Sequence, residues 1–381
     1  MSYITYIFAS VIETFLRLFP FPTRTGLVSI GNPDRNSPVL LTCNFHLTVL
    51  RVKKQLKGID AFLLIANSRG INVWCAATGG LLTNHDVISV LKTSGIEQLV
   101  QHRNVILPQL SGRGIEPRTI GEKAGWKVVF GPIYIEDIRD FLSTGKKSES
   151  MRKVRFDIIQ RLEMAVAWAF PLSIVPAIIM LPFWPNIVPP LIAIIWILSL
   201  LIFLPFPFYS RWLNPKRKRI GLILFDFKQG GFLLILWGLF FIGLIIYSIV
   251  VEGLNWGFVA GWGIGSFAII LLLSLDLMGS TPQYKSSLHD DRLLTIDLDQ
   301  SKCHGAGSCL DVCPRGCFQV DRQKHTATVH QARFCIQCGA CIVQCPFDAL
   351  SFHSSDGEVI LPQTIRKYKL NLMGKRVSNL T

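Results

Sequence analysis

The sequence predicts three architectures in series: an α/β domain on a mostly parallel sheet, a helical transmembrane bundle, and a small cysteine-rich α+β module. Three observations predict it. Short apolar runs alternate with amphipathic ones from Leu27 to about Leu142, long apolar segments follow, and eight of the ten cysteines fall between Cys303 and Cys345. At 381 residues the chain has room for two or three such parts. Half the residues are hydrophobic and 17% are charged, with a mean hydropathy of +0.40, which is too apolar for an ordinary soluble protein.

Residues 1–22 are apolar and aromatic, with no basic leading region and no small-residue cleavage site. They read as an interfacial helix rather than a signal peptide, and residues 1–26 are set apart as that element. The α/β domain is expected over residues 27–160. Ser37 to Cys43 and Ala61 to Ala66 read as buried strands, and Leu47 to Leu56 spaces its apolar residues like a helix. The alternation repeats: a helix from His85 to Leu91, a strand over Asn104 to Leu107, a helix from Ile115 to Ala124, and a strand at Lys127 to Phe130. Ligands of such sheets sit beyond the carboxyl ends of the strands. The stretch Asn72 to Gly80 follows a strand in that way and holds a lone cysteine, Cys75. Cys43, inside a strand, reads as core, and His46 and His102 have no partner at metal-ligand spacing.

Residues 161–279 hold about four segments long enough to cross a bilayer, near Met164–Phe183, Ile187–Tyr209, Gly231–Val251 and Phe258–Met278. The prolines in the first two, among them Pro171, Pro176, Pro205 and Pro207, are expected to kink or end them. The net charge of +14 raises nucleic acid as a partner, but the basic clusters at Lys146-Lys147, Arg152 to Arg155 and Lys216 to Arg219 flank the apolar block. Membrane lipid and topology account for them, with no nucleic acid needed. Positive charge precedes the first span and lies between the second and third, so both soluble ends are expected in the cytoplasm of a multi-pass cell-membrane protein. The run Ile220 to Phe227, with Asp226, is too short to span and reads as interfacial or re-entrant. Residues 280–292 read as a polar linker and 359–381 as a basic tail.

Residues 293–358 carry the cysteines. Cys335, Cys338, Cys341 and Cys345-Pro346 have the spacing of a bacterial-type ferredoxin, in which the fourth thiolate serves the partner cluster. The earlier run keeps Cys303, Cys309 and Cys313-Pro314 but has Ala306 where a ligand belongs. Crossed ligation then assigns Cys335, Cys338, Cys341 and Cys313 to one [4Fe–4S] cluster. Cys303, Cys309 and Cys345 are left for a second, either [3Fe–4S] or a [4Fe–4S] completed by an atypical ligand, with Cys317 one candidate. Residues Cys303 to Cys309 resemble the pattern of three-iron bacterial ferredoxins. Such thiolates imply a reducing, anaerobic cytoplasm and a low-potential electron donor.

On these residues, positions 27 to about 161 resemble the corrinoid protein of the mercury-methylation pair of bacteria and archaea, and 293–352 resemble its ferredoxin partner. That family's cap helix carries asparagine, valine or isoleucine, tryptophan, cysteine, alanine, and alanine or serine, as Asn72, Val73, Trp74, Cys75, Ala76 and Ala77 do here. Gly31-Asn32-Pro33 and Ile106 to Leu110 extend the likeness. A related domain occurs in the corrinoid iron–sulfur protein of the acetyl-CoA pathway. The resemblance implies a fused pair: a corrinoid (cobalamin-like) with Cys75 as lower axial ligand, Ala76 and Ala77 letting the cap helix approach the macrocycle, and clusters reducing the cobalt. It further implies a methyl-pterin donor or its methyltransferase, and inorganic Hg(II) as methyl acceptor.

Two departures bear on the acceptor. Thr78-Gly79 stands where the family has glycine and lysine, and no cysteine follows Cys345, where the family's ferredoxin carries a pair suited to mercury. Only Cys317 or Cys43 is left to replace that pair. A methyl carrier with another acceptor, and a membrane ferredoxin that only carries electrons, therefore stand beside mercury methylation.

Overall fold

The computed structural model describes residues 3–213, 227–251, 253–274, 294–354 and 357–368. In chain order, helix α1 spans Tyr3–Phe15, followed by strands β1 (Gly26–Ile30) and β2 (Val39–Cys43), helix α2 (His46–Gln55), β3 (Ala61–Ala66), α3 (Val73–Gly79) and α4 (Asn84–Thr93). A short helix α5 (Ile96–Leu99) leads to β4 (Asn104–Leu107), a 3-10 turn at Gln109–Arg113, α6 (Pro117–Ala124), β5 (Lys127–Phe130), α7 (Ile138–Thr144) and α8 (Glu149–Arg152). Two compact units result. One joins residues 19–154 to 294–368, and the other joins 3–18 to 155–274.

In the first unit the strands form one sheet in the order β1-β3-β2-β4-β5. β3, β2, β4 and β5 run parallel, as expected, and β1 adds an antiparallel edge that the sequence analysis did not foresee. β2 and β3 are buried along their whole length because both sheet faces are covered. Alternate residues separate the two faces. Leu40, Leu63 and Ile65 pack with Val49 and Val52 of α2 and Phe141 of α7, while Leu41, Phe62 and Leu64 pack with Val87, Val90 and Leu91 of α4. The chain thus leaves β2 over one face and β3 over the other, a switch point centred on β2. The segments after β3 and β4, which flank β2, are α3 and the 3-10 turn.

In the second unit, α9 (Ile158–Met180) continues through Pro171 and Pro176, so of the expected kink or end neither proline supplies an end. Next come α10 (Val188–Phe203) and α11 (Phe206–Leu213), then α12 (Phe227–Val251) and α13 (Trp256–Ser274). The expected second span is divided at Leu204-Pro205, where Pro205 and Pro207 remove consecutive-turn donors. Among the described residues three helices, within 158–180, 232–251 and 256–274, are long and apolar enough to cross a membrane, and α10 is shorter. Helix α1 lies on α9: Phe15 meets Phe170 edge-on at 5.2 Å, and Arg17 pairs with Glu163 at 2.6 Å. The expected re-entrant run with Asp226, the 280–292 linker, and the tail beyond residue 368 lie outside the described residues.

The cysteine-rich module completes the first unit. β6 (Thr295–Leu298) pairs antiparallel with β9 (Leu350–His353), which also takes β10 (Val359–Ile360), while β7 (Phe318–Asp321) and β8 (Thr326–Val329) form a hairpin. Helices α14 (Ser308–Val312) and α15 (Ala340–Gln344) repeat one plan, each starting after a glycine and ending at a Cys-Pro pair. A last helix, α16, covers Pro362–Tyr368.

Candidate functional site

The lone cysteine lies on a helix. Asn72, in extended conformation, accepts a hydrogen bond on its side-chain oxygen from the Cys75 N–H at 2.9 Å, which satisfies a donor left over at the start of α3. Glycines at 79 and 80 mask this helix in the sequence, because they read as a turn. Val73, Trp74, Ala76, Ala77 and Thr78 are buried, and the partly open positions are Asn72, Cys75 and Gly79. These three share one helix face at spacings of three and four residues. Cys75 therefore stands on a face whose next turn carries no side chain.

The two alanines, expected to admit a macrocycle, face the protein instead. Ala76 joins the core over the sheet, and a Cβ at Gly114 would lie 2.7 Å from the Leu82 carbonyl and 3.3 Å from the Ala77 Cα. Trp74 is buried, and its indole N–H has no hydrogen-bond acceptor. A buried donor without an acceptor is costly, and a bound acceptor there would relieve it.

The loop before α3 is held by a residue that sequence analysis passed over. Asn44, just past β2, accepts from the Ser68 N–H at 2.8 Å, the Ser68 hydroxyl at 2.9 Å and the Gly70 N–H at 3.0 Å. Polar and 4% exposed at a strand end, it could have been flagged only by the cost of burying an amide there.

The cysteines of the module gather as two groups. Cys313, Cys335, Cys338 and Cys341 line one hollow with Arg315, and Cys317 lines it too. In the other group, burial and then the charges of Cys345 and Cys303 push the Cys309 thiol up to about 12. Cys313 thus shares a hollow with Cys335, Cys338 and Cys341, the three thiols with which spacing groups it. Cys317 lines the four-thiol hollow rather than joining the three-thiol set it was considered for, and its backbone N–H donates to Cys313 Sγ at 3.3 Å. Ala306 is exposed.

The four-thiol hollow suits an iron–sulfur cluster, because its thiols ring a space and are held away from water. Burial pushes Cys338 up to about 12 and raises Cys341 well above its usual value, whereas the Cys317 thiol and nearby N–H groups hold Cys313 down to about 6. Iron binding would displace protons from the buried thiols. All ten cysteines are described and none is in a disulfide.

The α/β part and the module share a core. Val312 and Ala340 are buried in the sheet-facing cluster, with Cys338 packed against it. Gln344 donates to the carbonyls of Gly112 and Ile115, both at 2.6 Å, and Val154 N–H donates to Pro314 O at 2.9 Å. Lys147 pairs with Asp311 at 3.0 Å and also donates to Gln109. Arg113, 7% exposed in the 3-10 turn, acts on Cys338 with its positive charge.

An α/β domain with a switch point, packed on a hollow whose four thiols suit an iron–sulfur cluster, describes an iron–sulfur protein. Consistent with that class, residues 295–352 match the 4Fe-4S dicluster domain, and residues 17–142 match the CO dehydrogenase/acetyl-CoA synthase delta subunit. The chain is similar to acetyl-CoA decarbonylase/synthase complex subunit gamma of Archaeoglobus fulgidus, 34% identical over 125 residues, and of Methanocaldococcus jannaschii, 36% over 127. Subunit gamma 2 of Methanosarcina mazei is 38% identical over 118 residues. The first two matches cover 32% of this chain and the third 30%, against 26%, 25% and 25% of the relatives. The chain thus spans about a quarter of the length of the curated relatives it matches.

Proposed function

We propose that the chain is a membrane-anchored, corrinoid-dependent methyltransferase with its own reductase module, passing a methyl group to inorganic Hg(II). The observation that carries the proposal is Cys75, partly exposed on a bare helix face, in one compact unit with the four-thiol hollow. When bound, a corrinoid supplies cobalt that accepts and releases a methyl group, and the clusters supply the low-potential electrons that keep the cobalt active.

The chain's own residues have separable tasks. Cys75 would hold the cobalt, and a soft thiolate donor there would favour oxidised cobalt and so the release of a methyl group to a soft electrophile. Asn72 fixes the start of its helix, and Trp74 offers an indole N–H to an acceptor on the bound group. Cys313, Cys335, Cys338 and Cys341 hold a [4Fe–4S] cluster, and Cys303, Cys309 and Cys345 hold the second, of three irons or with an atypical ligand. A methyl-pterin, or the enzyme that carries it, is the donor. The apolar helices cross the cell membrane, basic segments lie against lipid, and both soluble parts face the cytoplasm.

A second acceptor class is favoured by one observation. Cys43 and Cys317 are 0% and 1% exposed, so neither can collect mercury from solution, which leaves Cys75 as the one partly open thiol outside the two cluster sets. The second reading is the same chemistry with a non-mercury acceptor.

Anaerobic purification in detergent, with iron, sulfide and a cobalamin restored, tests the proposal. The cobalt spectrum should change in Cys75→Ala; an unchanged spectrum removes Cys75 as ligand, and no retained corrinoid leaves the chain an electron carrier. Methylmercury formed by loaded membranes from Hg(II) and a methyl-pterin supports the mercury acceptor, and its absence with intact cobalt methylation supports the other.

A further inference from the structure

The turn Gln109–Arg113 and Gly114 lie between the Cys75 helix and the helices of the cysteine-rich module. On one side Gly114 lets the turn meet α3, since any side chain there would strike the Leu82 carbonyl and the Ala77 backbone. On the other side a Cβ at Gly112 would lie 3.5 Å from both the Phe130 ring and Val312, so anything longer would push the two parts apart. Gln344 fastens the turn through Gly112 O and Ile115 O. Gln109, Ser111 and Arg113 are 1%, 0% and 7% exposed, so the path between the two sides is dry protein.

The two thiol groups relate to this turn differently. Cys338 packs against the core that includes Phe130 and Val312, and Arg113, buried in the turn, acts on it with its charge. The other cluster cysteines, Cys313, Cys335 and Cys341 as well as Cys303, Cys309 and Cys345, pack in the module's own core with Phe352 and Leu350, so Cys338 is the thiol that ties the four-thiol group to the turn's side.

We infer that Gln109–Gly114 is a built electron junction that joins the four-thiol cluster, and not the three-thiol cluster, to the Cys75 face. The inference rests on the proposed function for the nature of the acceptor. One electron passes from a reduced four-thiol cluster, which is oxidised, to the centre at Cys75, which is reduced. The three-thiol cluster replaces that electron and draws its own from an external low-potential one-electron donor. No bond forms or breaks and no proton moves. Arg113 is a positioning residue for this charge, and its cation makes reduction of the nearer cluster easier.

The test uses the full chain in detergent, with iron and sulfide restored, and a nitroxide maleimide attached to Cys75, so that it does not depend on corrinoid binding. Electron paramagnetic resonance is followed while the clusters are titrated with a titanium(III) reductant. In Arg113→Gln one cluster should become harder to reduce, and the faster relaxation of the nitroxide should follow that same cluster to its new potential. In Gly112→Leu the relaxation effect should weaken with both potentials unchanged. Loaded with cobalamin, Gly112→Leu should reduce cobalt about ten- to a hundred-fold more slowly, the order that an ångström-scale misplacement costs. Relaxation that follows the cluster insensitive to Arg113→Gln overturns the inference, as does a nitroxide indifferent to both variants. Should Gly112→Leu fail to fold, the Arg113→Gln titration still decides. Failure of the chain to retain cobalamin counts against the proposed function and leaves the nitroxide result standing.

Discussion

Lys147 and Asp311, 164 residues apart, meet at 3.0 Å, with the lysine side chain 3% exposed and the aspartate 46%. Burial dominates over the attraction of Asp311 and holds the Lys147 amine at about 8, below its usual 10.5. Between those values the unfolded chain binds more protons at this site than the folded one, so stability rises with pH across that window. Wild type should gain on Lys147→Met by up to about 3 kcal/mol from pH 7.5 to 10.5. Melting of both proteins across that range checks it, and a constant difference would show that Lys147 titrates as it does in water.

Asn44→Ala strips acceptors from Ser68 and Gly70, leaving buried N–H groups without partners. The expected loss is roughly 2 to 4 kcal/mol. Amide hydrogen exchange should rise first in the loop from Ser68 to Asn72, and denaturant unfolding gives the total.

These two predictions also mark how far the sequence could be read. β2, β3, β4 and β5 were legible because a strand buried on both faces leaves a continuous apolar run, as Val39 to Cys43 does. β1 was not, since Gly26–Ile30 is short, only partly buried, and runs against its neighbour. For α3 the residues themselves gave only a stretch after a strand, and the helix was implied by the resemblance, because two glycines close a segment of seven residues. Nothing local announces that Gln344 reaches Gly112 across 232 positions, because that contact is made by the fold. The spacing of thiols foretold their grouping, and only packing could assign Cys317.

Gly114→Ala places a methyl against two backbone segments that cannot yield cheaply. Overpacking of this kind costs about 1 to 3 kcal/mol. The strain falls on α3, so cobalamin retention should drop several-fold more than iron content. Equilibrium dialysis beside an iron assay makes the comparison.

Cys317 shares its hollow with Cys313, so Cys317→Ala should leave the resonance of the three-thiol cluster unchanged and alter only that of its neighbour. Low-temperature spectra of oxidised and dithionite-reduced protein separate the two. A changed three-iron signal would show that Cys317 serves the other set.

The first compact unit is written in two instalments, 19–154 and 294–368, with the apolar helices between them. Segments fold in the order in which they leave the ribosome. The Cys75 half is therefore finished while its partner surface for Val312 and Ala340 is still unmade, and the wiring closes only after the intervening helices have been synthesised. On the proposed function, a newly made copy would be electrically silent until its last stretch docks, and its Cys75 face would then keep a permanently tethered source of electrons.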